Sequence, residues 1–543
     1  MKLAKRLIAL AMAVMMSVAV ASCGGDKETA TDVTTTSATA SAEETTVAGE
    51  TTTVAGAQDA TTAAGAQDAT TAAQQAGSQD TGSDLAALPS ISNKTYDAPT
   101  DTKRPSDSFI SSVKGYTLNI KHPWNFDATN KSMTYYKQAA NEVKNKYGAT
   151  INETGVFDDY NKTLQGEISA NKFSNQIYEV QSFNFASYIK NNYMKDLRTA
   201  QNTAAVTFTE SWYDLNTTQM AAIGGSQYGW TSFDVEYIVP TGILYNKKLI
   251  KNANLTDPMV LARKGQWTWD KLEEYAQKLN TSSIAGFRIG AKDSSNLYSS
   301  LMTSSGTNLV DIQTGKAPKS NVMTQAGQDA LAQIETWVNK GVITYKADED
   351  WTANKKAFAD GKAGMVLGSH DTLQSCTTSA MKNNVGMVPF PTKSASTTYK
   401  SVQNIQFMSF IPSYYKDDAE AAKILFLRDE QLQQLYRYRE QIFTKLYTTY
   451  GLDSDAMAMT YMINYGATDP SGAKYGKYVS AVNMLDPDGS DADGTPALSN
   501  IVLPVLAGGS ASKSLSSYGD TLQKKYDSFW SSKVFTGNYS YNK

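Results

Sequence analysis

The sequence predicts an α/β fold built on more than one sheet. Short apolar runs of strand length alternate along the chain with apolar residues at helical spacing, which is typical of helices packed on mostly parallel sheets. From about Lys114 onward the composition is that of a globular protein and includes most of the 8 Trp, 31 Tyr and 17 Phe. This globular part has roughly 430 residues, which exceeds one ordinary domain.

The first 22 residues have the layout of a secretory signal peptide. Lys2, Lys5 and Arg6 give a positive start, residues 7–20 are apolar, and small residues precede position 23. The apolar run is shorter than the ~20 residues that span a bilayer, and no comparable run follows it. We therefore expect an exported protein whose mature chain does not cross the membrane.

Cys23 directly follows this leader and is one of only two cysteines in the chain. The stretch "VASC" at 20–23 resembles the lipobox of bacterial lipoproteins, which implies that the Cys23 thiol is acylated. Ordinary cleavage would instead leave an exposed thiol, which is prone to oxidation in an exported protein. Cys376 then has no disulfide partner, and we expect it to be a small buried side chain.

Residues 23–105 are predicted to form a disordered tether. Thr, Ala, Gly, Ser, Gln and Asp dominate this stretch, and "AGAQDATTA" at 55–63 recurs unchanged at 64–72. With almost no large apolar side chains, such a segment cannot bury enough surface to offset the entropy of ordering it. A glycosylated stalk would differ from this tether only in stiffness.

Charge and motifs argue against several classes of function. The chain carries 50 Lys+Arg against 53 Asp+Glu, a formal charge of −3, with no basic stripe, so nucleic acid is not an expected partner. His122 and His370 are far apart in the sequence and lack the Cys/His clustering of a zinc site. Neither a phosphate-binding Walker pattern nor a Gly-x-Ser-x-Gly elbow occurs.

The acidic stretch "LDPDGSDADGTPAL" at 485–498 does not fit a calcium loop either. Asp491 stands where that loop needs glycine, and Ala497 stands where it needs a bidentate Glu. We therefore expect no metal and no cofactor.

Local patterns place the first elements of the globular part. Alternating apolar residues predict a strand over 116–122, and helical spacing from Met133 to Tyr147, ended by Gly148, predicts the helix that follows. Further along, Thr268 is suited to cap an amphipathic helix that begins at Trp269. The remaining predicted elements are a helix through Leu331 and Trp337, closed by Gly341, and two buried strands at 363–369 and 384–390.

At this point the residues carry a family resemblance. The sequence is similar to bacterial extracellular solute-binding proteins of family 1, the receptor lipoproteins of sugar-importing ABC transporters. The segments that carry it follow one another in the family's order: "PTGILYNKKLIKNANL" (240–255), "GQWTWDKLEEYAQKL" (265–279), "KKAFADGKAGMVLGSH" (355–370), "VGMVPFPTK" (385–393) and "DDAEAAKILFLRDE" (417–430). The stretch at 159–180 is also similar, although the family's usual Gly-Asp-x-Pro-Asp turn is missing there.

The resemblance implies a two-lobed, type II periplasmic-binding-protein-like fold, with lobes joined by hinge crossovers and ligand held in the cleft. Residues 106–240 plus about 404–435 would form lobe 1. Residues 241–403 plus about 436–543 would form lobe 2. The similarity is weakest over 431–516, where we expect a third crossing after Leu435.

The resemblance also implies a function. It predicts a lipid-anchored receptor on the outer face of a Gram-positive cell membrane that captures a carbohydrate and passes it to ABC transporter permease subunits. It predicts a monomer without catalytic activity. Two alternatives stay open from the residues themselves: a secreted carbohydrate-active hydrolase, which needs only two carboxylates, and a receptor for another small polar solute such as a peptide.

Carbohydrate sites combine aromatic platforms with polar side chains that form several hydrogen bonds at once. We looked for such residues where predicted strands end and at the predicted crossovers. The candidate ligand-binding residues are Trp124, Asn125, Gln181, Asn184, Trp230, Asp234, Tyr298, His370, Gln403 and Asn404. Each aromatic candidate has the alternative of packing in the core, and each polar one that of capping a helix or turn. Trp269 and Trp337 lie on apolar helical stripes and are assigned to packing.

Overall fold

The computed structural model of the protein describes fourteen stretches of the chain, and all that follows concerns these. They are residues 80–91, 93–97, 104–123, 133–155, 160–181, 184–233, 241–347, 349, 351–368, 370–376, 380–403, 407–479, 486–488 and 498–537. The predicted signal peptide, Cys23 and the tether as far as residue 79 lie outside them. Those predictions therefore stand as they were made.

The described part of the chain forms short strands. The strands are β1 Thr117–His122, β2 Thr150–Gly155, β3 Gln176–Gln181, β4 Ala222–Ile223, β5 Ser226–Gln227, β6 Gly242–Asn246, β7 Ala285–Arg288, β8 Val310–Asp311, β9 Lys319–Ser320, β10 Ile343–Thr344, β11 Ala363–Gly368, β12 Val385–Pro389, β13 Thr398–Gln403, β14 Phe407–Phe410 and β15 Lys474–Val479. Of these, β6, β11, β12 and β14 coincide with apolar runs of the sequence. The predicted strands at 116–122, 363–369 and 384–390 are confirmed to within a residue at each end.

Helices connect these strands and cover the sheets. They are α1 Asp107–Ser112, α2 Met133–Tyr147, α3 Tyr160–Ser169, α4 Phe185–Lys190, α5 Arg198–Ala204, α6 Leu215–Met220, α7 Lys247–Asn252, α8 Pro258–Arg263, α9 Trp269–Leu279, α10 Ser294–Ser304, α11 Gln325–Asn339, α12 Trp351–Ala359, α13 His370–Ser375, α14 Asp418–Tyr436, α15 Arg439–Thr449, α16 Ser454–Tyr465, α17 Ser499–Leu506, α18 Ala511–Ser514 and α19 Asp520–Trp530.

The first sheet has the strand order β14-β3-β1-β2. Strands β1, β2 and β3 are parallel, whereas β14 runs antiparallel to β3 and returns to this sheet from far along the chain. Leu118 and Ile120 of β1 are fully buried, as the alternating pattern predicted. Helix α14, from a later segment of the chain, packs against α2 and α5. We refer to this sheet with its helices as lobe 1, and to the second sheet with its helices as lobe 2.

The second sheet has the strand order β10-β7-β11-β6-β12, in which β6 runs against its two neighbours. Thr268 caps α9 as predicted, because its side-chain oxygen accepts a hydrogen bond from the Lys271 backbone N–H at 3.3 Å. Trp269 on α9 meets Trp337 on α11 edge to face at 6.1 Å, and both rings are buried. The packing role predicted for these two Trp residues is confirmed.

Two chain crossings between the sheets lie side by side. The Thr241 N–H, just before β6, donates to the Val402 carbonyl of β13 at 2.6 Å, which bridges the segments that join the lobes. Strand β13 pairs in parallel with β15 as a separate two-stranded ribbon, and α10 packs against it. The buried thiol of Cys376 donates to the Thr372 carbonyl at 3.4 Å, so its predicted burial is confirmed.

The last part of the predicted tether is corrected by the structure. Residues 80–97, where described, lie against the globular part instead of being disordered. Lys264 pairs with Asp80 and Asp84 at 2.8 Å each, and the Arg263 guanidinium donates to the Ala86 carbonyl. Leu88 and Ile91 pack against the core. Sequence composition missed this because the docking depends on cations that lie far away in the chain.

The same segment then reaches the junction between α14 and α15. The Tyr96 N–H donates to the Arg437 carbonyl at 3.0 Å, and the Arg439 guanidinium lies 3.6 Å from the Tyr96 ring centroid. The Tyr96 hydroxyl also donates to Glu440. Residues 80–97 therefore form an N-terminal strap that runs from α8 to this junction.

Candidate functional site

The two main sheets present one edge each to the crossovers. In lobe 1, β3 ends at Gln181, and β14 begins directly opposite it at Phe407. In lobe 2, β11 ends at Gly368 and β12 ends at Pro389, and both residues pair with Gly242, where β6 begins. Because the crossovers leave and enter the sheets at these edges, the candidate site lies between the carboxyl ends of the parallel strands, where α/β proteins bind their ligands.

Five of the ten predicted ligand-binding residues cannot be placed. Trp124, Asn125, Asp234 and Asn404 lie outside the described residues. The backbone of His370 begins α13, but its side chain also lies outside the described part. These five remain predictions.

Two of the predicted aromatic platforms are core residues. The Trp230 ring is fully buried, and it stacks on Phe208 at 5.6 Å with an interplanar angle of 16°. Its backbone exchanges two hydrogen bonds with Ser409, which fixes it beside β14. The buried Tyr298 hydroxyl donates to the Gly327 carbonyl at 3.0 Å. Neither ring exposes a face that could stack on a ligand in this structure, because both side chains are fully buried.

Asn184 is predicted correctly to lie just past the end of β3, and its surroundings are unusual. It precedes α4 as the N-cap residue, yet its side chain makes no capping hydrogen bond. The residue is 8% exposed, and its Nδ2 has no hydrogen-bond partner among the described residues. Gln181, at the end of β3, is half-buried beside it in sequence. A buried amide donor without a partner is costly, so an external acceptor would stabilise it.

Gln403 is the most distinctive of the predicted residues. It ends β13 at the second crossover and is only 2% exposed. Within the described part of the chain, neither its Nε2 nor its Oε1 has a hydrogen-bond partner. A primary amide can donate two hydrogen bonds and accept two, so this side chain offers unused donors and acceptors next to the crossover.

Sequence reasoning missed a buried charge network at the same edge of lobe 1. His122 Nδ1 lies 2.7 Å from Glu179 Oε2, and the Arg428 guanidinium reaches Glu179 Oε1 and Glu153 Oε1 at 3.1 Å each. Ser409 donates to Glu179 at 3.2 Å. Two positive and two negative side chains thus meet where β1, β2, β3 and α14 pack together.

The pKa values of His122 and Glu179 shift in the direction that keeps both side chains charged. Burial alone would lower the pKa of His122, but the Glu179 and Glu153 carboxylates outweigh that effect and raise it to about 9. Burial would raise the pKa of Glu179, yet His122 and Arg428 hold it below its ordinary value. The only sequence signal was His122 at the end of the predicted strand over 116–122, and pattern alone could not pair it with Glu153 or Glu179.

The edge of lobe 2 carries a second polar group that the sequence did not indicate. Arg288, which ends β7, pairs with Glu349. Nearby in sequence, Asp293 accepts hydrogen bonds from the Gly290 N–H at 3.3 Å and from Asn354 Nδ2 at 3.1 Å. Asn354 is 3% exposed, and its Oδ1 has no partner in the described stretches. Polar groups therefore line both sheet edges.

Two searches of the described residues bear on other kinds of site. They contain no group of three or more His, Cys, Asp or Glu side chains arranged to hold a metal ion. None of the described helices combines the length and apolarity that a bilayer crossing requires.

Comparison with known proteins places this geometry in context. The profile of the bacterial extracellular solute-binding protein family matches residues 138–438. No curated protein matches the sequence.

Several solved structures share the fold at low sequence identity. The GacH receptor of Streptomyces glaucescens, solved unliganded and with acarbose, has a TM-score of 0.50 and 16% identity over 76% of this chain and 99% of its own. A cyclo/maltodextrin-binding protein with maltotetraose scores 0.52, at 15% identity over 76% and 97% of the two chains. A Streptococcus pneumoniae solute-binding protein with the blood group A-trisaccharide scores 0.50, at 15% identity over 75% and 100%.

Proposed function

The chain belongs to the bacterial extracellular solute-binding protein family and has its two-lobed fold, and from this premise we propose that it captures a carbohydrate between its lobes for an ABC importer. The similar structures named above hold acarbose, maltotetraose and a blood group trisaccharide. Capture and delivery need no catalysis, so we propose a receptor, not an enzyme.

The observation that carries this proposal is the buried amide of Gln403. A sugar ring presents adjacent hydroxyls, each of which both donates and accepts, and this matches the unused donors and acceptors of a primary amide. Leaving such a group buried and unsatisfied costs about 1–3 kcal/mol, which a ligand hydroxyl would recover on binding. Asn184 Nδ2 offers the same match at the edge of lobe 1.

The remaining predicted contacts complete the proposed site. Gln181 lies at the end of β3, opposite Phe407 of β14. Trp124 and Asn125 follow β1, Asp234 and Asn404 belong to the crossovers, and His370 follows β11. We propose these as further contacts because they continue the described strands beyond the edges that line the site.

We propose that the lobes keep the boundaries expected from the sequence, with lobe 1 over 106–240 and about 404–435. Lobe 2 would hold 241–403 and about 436–543. Closure of these lobes around a ligand would bury it from both sides and present a different shape to the permease subunits.

We further propose that Cys23 is acylated and that the monomeric receptor is held on the outer face of a Gram-positive cell membrane. The strap ends the tether at Asp80, so about 57 residues would separate the lipid from the folded part. As a flexible coil this length spans on the order of 40 Å. Cys23→Ala should move the protein from the membrane fraction to the soluble fraction. Retention of that variant on detergent-free membranes would contradict the anchor.

The ligand class is tested by thermal unfolding with a defined panel. Maltotetraose, acarbose and blood group A-trisaccharide form one arm, and trialanine forms the peptide arm. A ligand at 100 times its Kd should add about 2.7 kcal/mol to stability, so its melting temperature shift is easily measured. Mass spectrometry of the recovered ligand then separates capture from hydrolysis. Stabilisation by trialanine alone, or cleaved saccharide, would overturn the proposal.

A further inference from the structure

The last described segment of the chain lies between the two lobes. Residues 534–537 follow α19 and pass between hairpin β4–β5 and the turn that joins β8 to β9, with a β-bridge between Phe535 and Ile223. Phe535 at its centre is fully buried, whereas Val534 is 42% exposed. The segment is thus fixed by one buried ring and by its backbone.

One side of this segment is bound to lobe 1. The Gly224 N–H donates to the Val534 carbonyl at 2.7 Å, and the Thr536 N–H donates to the Ala222 carbonyl at 3.0 Å. The Gly225 N–H adds a third hydrogen bond, to the Thr536 hydroxyl at 3.2 Å. This hairpin belongs to lobe 1, because the Leu197 N–H donates to the Gln227 carbonyl of β5 and the chain then continues to Trp230, which is bonded to β14.

The other side is bound to lobe 2. The Gly315 N–H donates to the Phe535 carbonyl at 2.7 Å, and the Phe535 N–H donates to the Lys316 carbonyl at 2.9 Å. The Thr314 hydroxyl donates to the Gly537 carbonyl at 2.5 Å. The turn at 314–316 lies between α10 and α11. These two helices are in the segment that connects β7 to β10 of the second sheet.

Three hydrogen bonds therefore join this segment to each lobe, and they alternate residue by residue. These bonds hold hairpin β4–β5 and the turn at 314–316 at a fixed separation. Moving the two apart by more than a fraction of a hydrogen-bond length breaks all the bonds on one side. A Cβ on Gly537 would lie 2.3 Å from the Gln219 carbonyl, so the end of the segment is also held in close contact with lobe 1.

We propose that residues 534–537 are an interlobe latch that restrains opening of the ligand-free protein. The proposal rests on the lobe movement that the proposed function assigns, but its test needs no ligand. Its failure can therefore be told apart from a failure of carbohydrate binding.

The test measures interlobe distances by pulsed electron spin resonance in the full chain carrying Cys23→Ser. Spin labels are placed on two exposed helical positions, Asn141→Cys on α2 and Gln277→Cys on α9. Truncation after Lys533 removes the latch, and truncation after Gly537 is the matched control, since it removes only the residues beyond the latch.

We expect the truncation after Lys533 to give longer and broader interlobe distances than the control, whose distribution should equal that of the full chain. Because Phe535 is buried, truncation after Lys533 removes core packing as well as the latch. A second variant therefore keeps Phe535 and breaks only hydrogen bonds. Thr536→Pro keeps that ring but deletes the N–H that bonds Ala222 and the hydroxyl that bonds Gly225. It should shift the distances in the same direction by less. Identical distributions in folded variants, or loss of folding in both, would overturn the latch.

Discussion

Two buried polar groups, Glu179 in lobe 1 and Gln403 at the end of β13, differ in whether the described residues supply their hydrogen-bond partners. The carboxylate of Glu179 meets His122, Arg428 and Ser409, so its charge is fully compensated. Gln403, in the crossover that leads to Ser409, keeps both amide atoms without partners in the described part of the protein. The first group is stabilised by partners that the chain itself supplies, and the second keeps hydrogen-bonding capacity that is the basis of the proposed ligand contact. The comparison therefore separates a structural group from a proposed binding residue.

The largest loss of stability is expected when the buried charge network of His122, Glu153, Glu179 and Arg428 is broken. Arg428→Met removes one positive charge and leaves Glu153 and Glu179 buried with a single cation, which should cost about 3–5 kcal/mol of stability. Urea unfolding measures this. Lys146→Met is the control, because Lys146 pairs with Glu430 on α14 but its side chain is 54% exposed, so it should change stability by at most about 1 kcal/mol. Equal effects of the two variants would contradict the structural role of the network.

The same network predicts a pH dependence. The pKa of His122 is raised to about 9, so its charge contributes stability that is complete below about pH 6.5 and is lost as pH rises through 9. At about 1.4 kcal/mol per pKa unit, the loss is on the order of 3 kcal/mol. Urea unfolding at several pH values between 6 and 10 should show this decline in the wild type and a smaller decline in His122→Gln. Parallel declines would show that His122 is not its source.

A smaller effect on stability is expected when the buried amide of Gln403 is removed. Gln403→Ala breaks no hydrogen bond within the described structure and removes the cost of burying an unsatisfied amide, so it should lower stability by no more than about 1 kcal/mol. Gln176→Ala is the matched control, since Gln176 is 5% exposed and its Nε2 donates to the Asn119 and Ile177 carbonyls at 3.2 and 3.0 Å. Losing both bonds should cost about 2 kcal/mol. If Gln403→Ala is the more damaging change in urea unfolding, the amide has a structural role instead.

The smallest difference in stability is expected between alanine variants of two asparagines that precede helices. Asn246 begins the six-residue α7, and its side chain accepts the Leu249 N–H at 3.1 Å, whereas Asn184 begins the six-residue α4 without such a bond. Asn246→Ala should cost about 1 kcal/mol, and Asn184→Ala should cost less. Thermal unfolding of both variants checks this order, and the reverse order would remove Asn184 from the proposed site.

Local patterns were sufficient for the elements whose residues are close together in the sequence. The Thr268 cap, the Trp269 stripe and the strand at 363–368 follow from spacing alone, because each depends on neighbours within one helix or strand. Asn184 was predicted as a polar residue just past a strand end, and Gln403 was predicted because the family resemblance placed the second crossover there. That the buried amide nitrogens of both residues lack hydrogen-bond partners among the described residues was not predictable from their neighbours in the sequence.

Whatever depends on distant contacts could not be predicted. Trp230 has the sequence surroundings of a platform residue, yet Phe208 and the backbone of Ser409 bury it. The strap belongs to a stretch whose overall composition predicts disorder, yet it contacts Arg263 and Arg439, which lie far along the chain. Tertiary contacts decide both outcomes, and a single sequence does not indicate them.

The central claim is that the unsatisfied amide of Gln403 binds the ligand while the satisfied groups hold the fold. Calorimetric titration tests it most directly, with whichever of maltotetraose, acarbose and blood group A-trisaccharide gives the largest thermal shift. Gln403→Ala should weaken binding about tenfold or more, the equivalent of about 1.4 kcal/mol, while Gln176→Ala should bind with the wild-type Kd. An unchanged Kd in Gln403→Ala, or an equal loss in both variants, would contradict the claim.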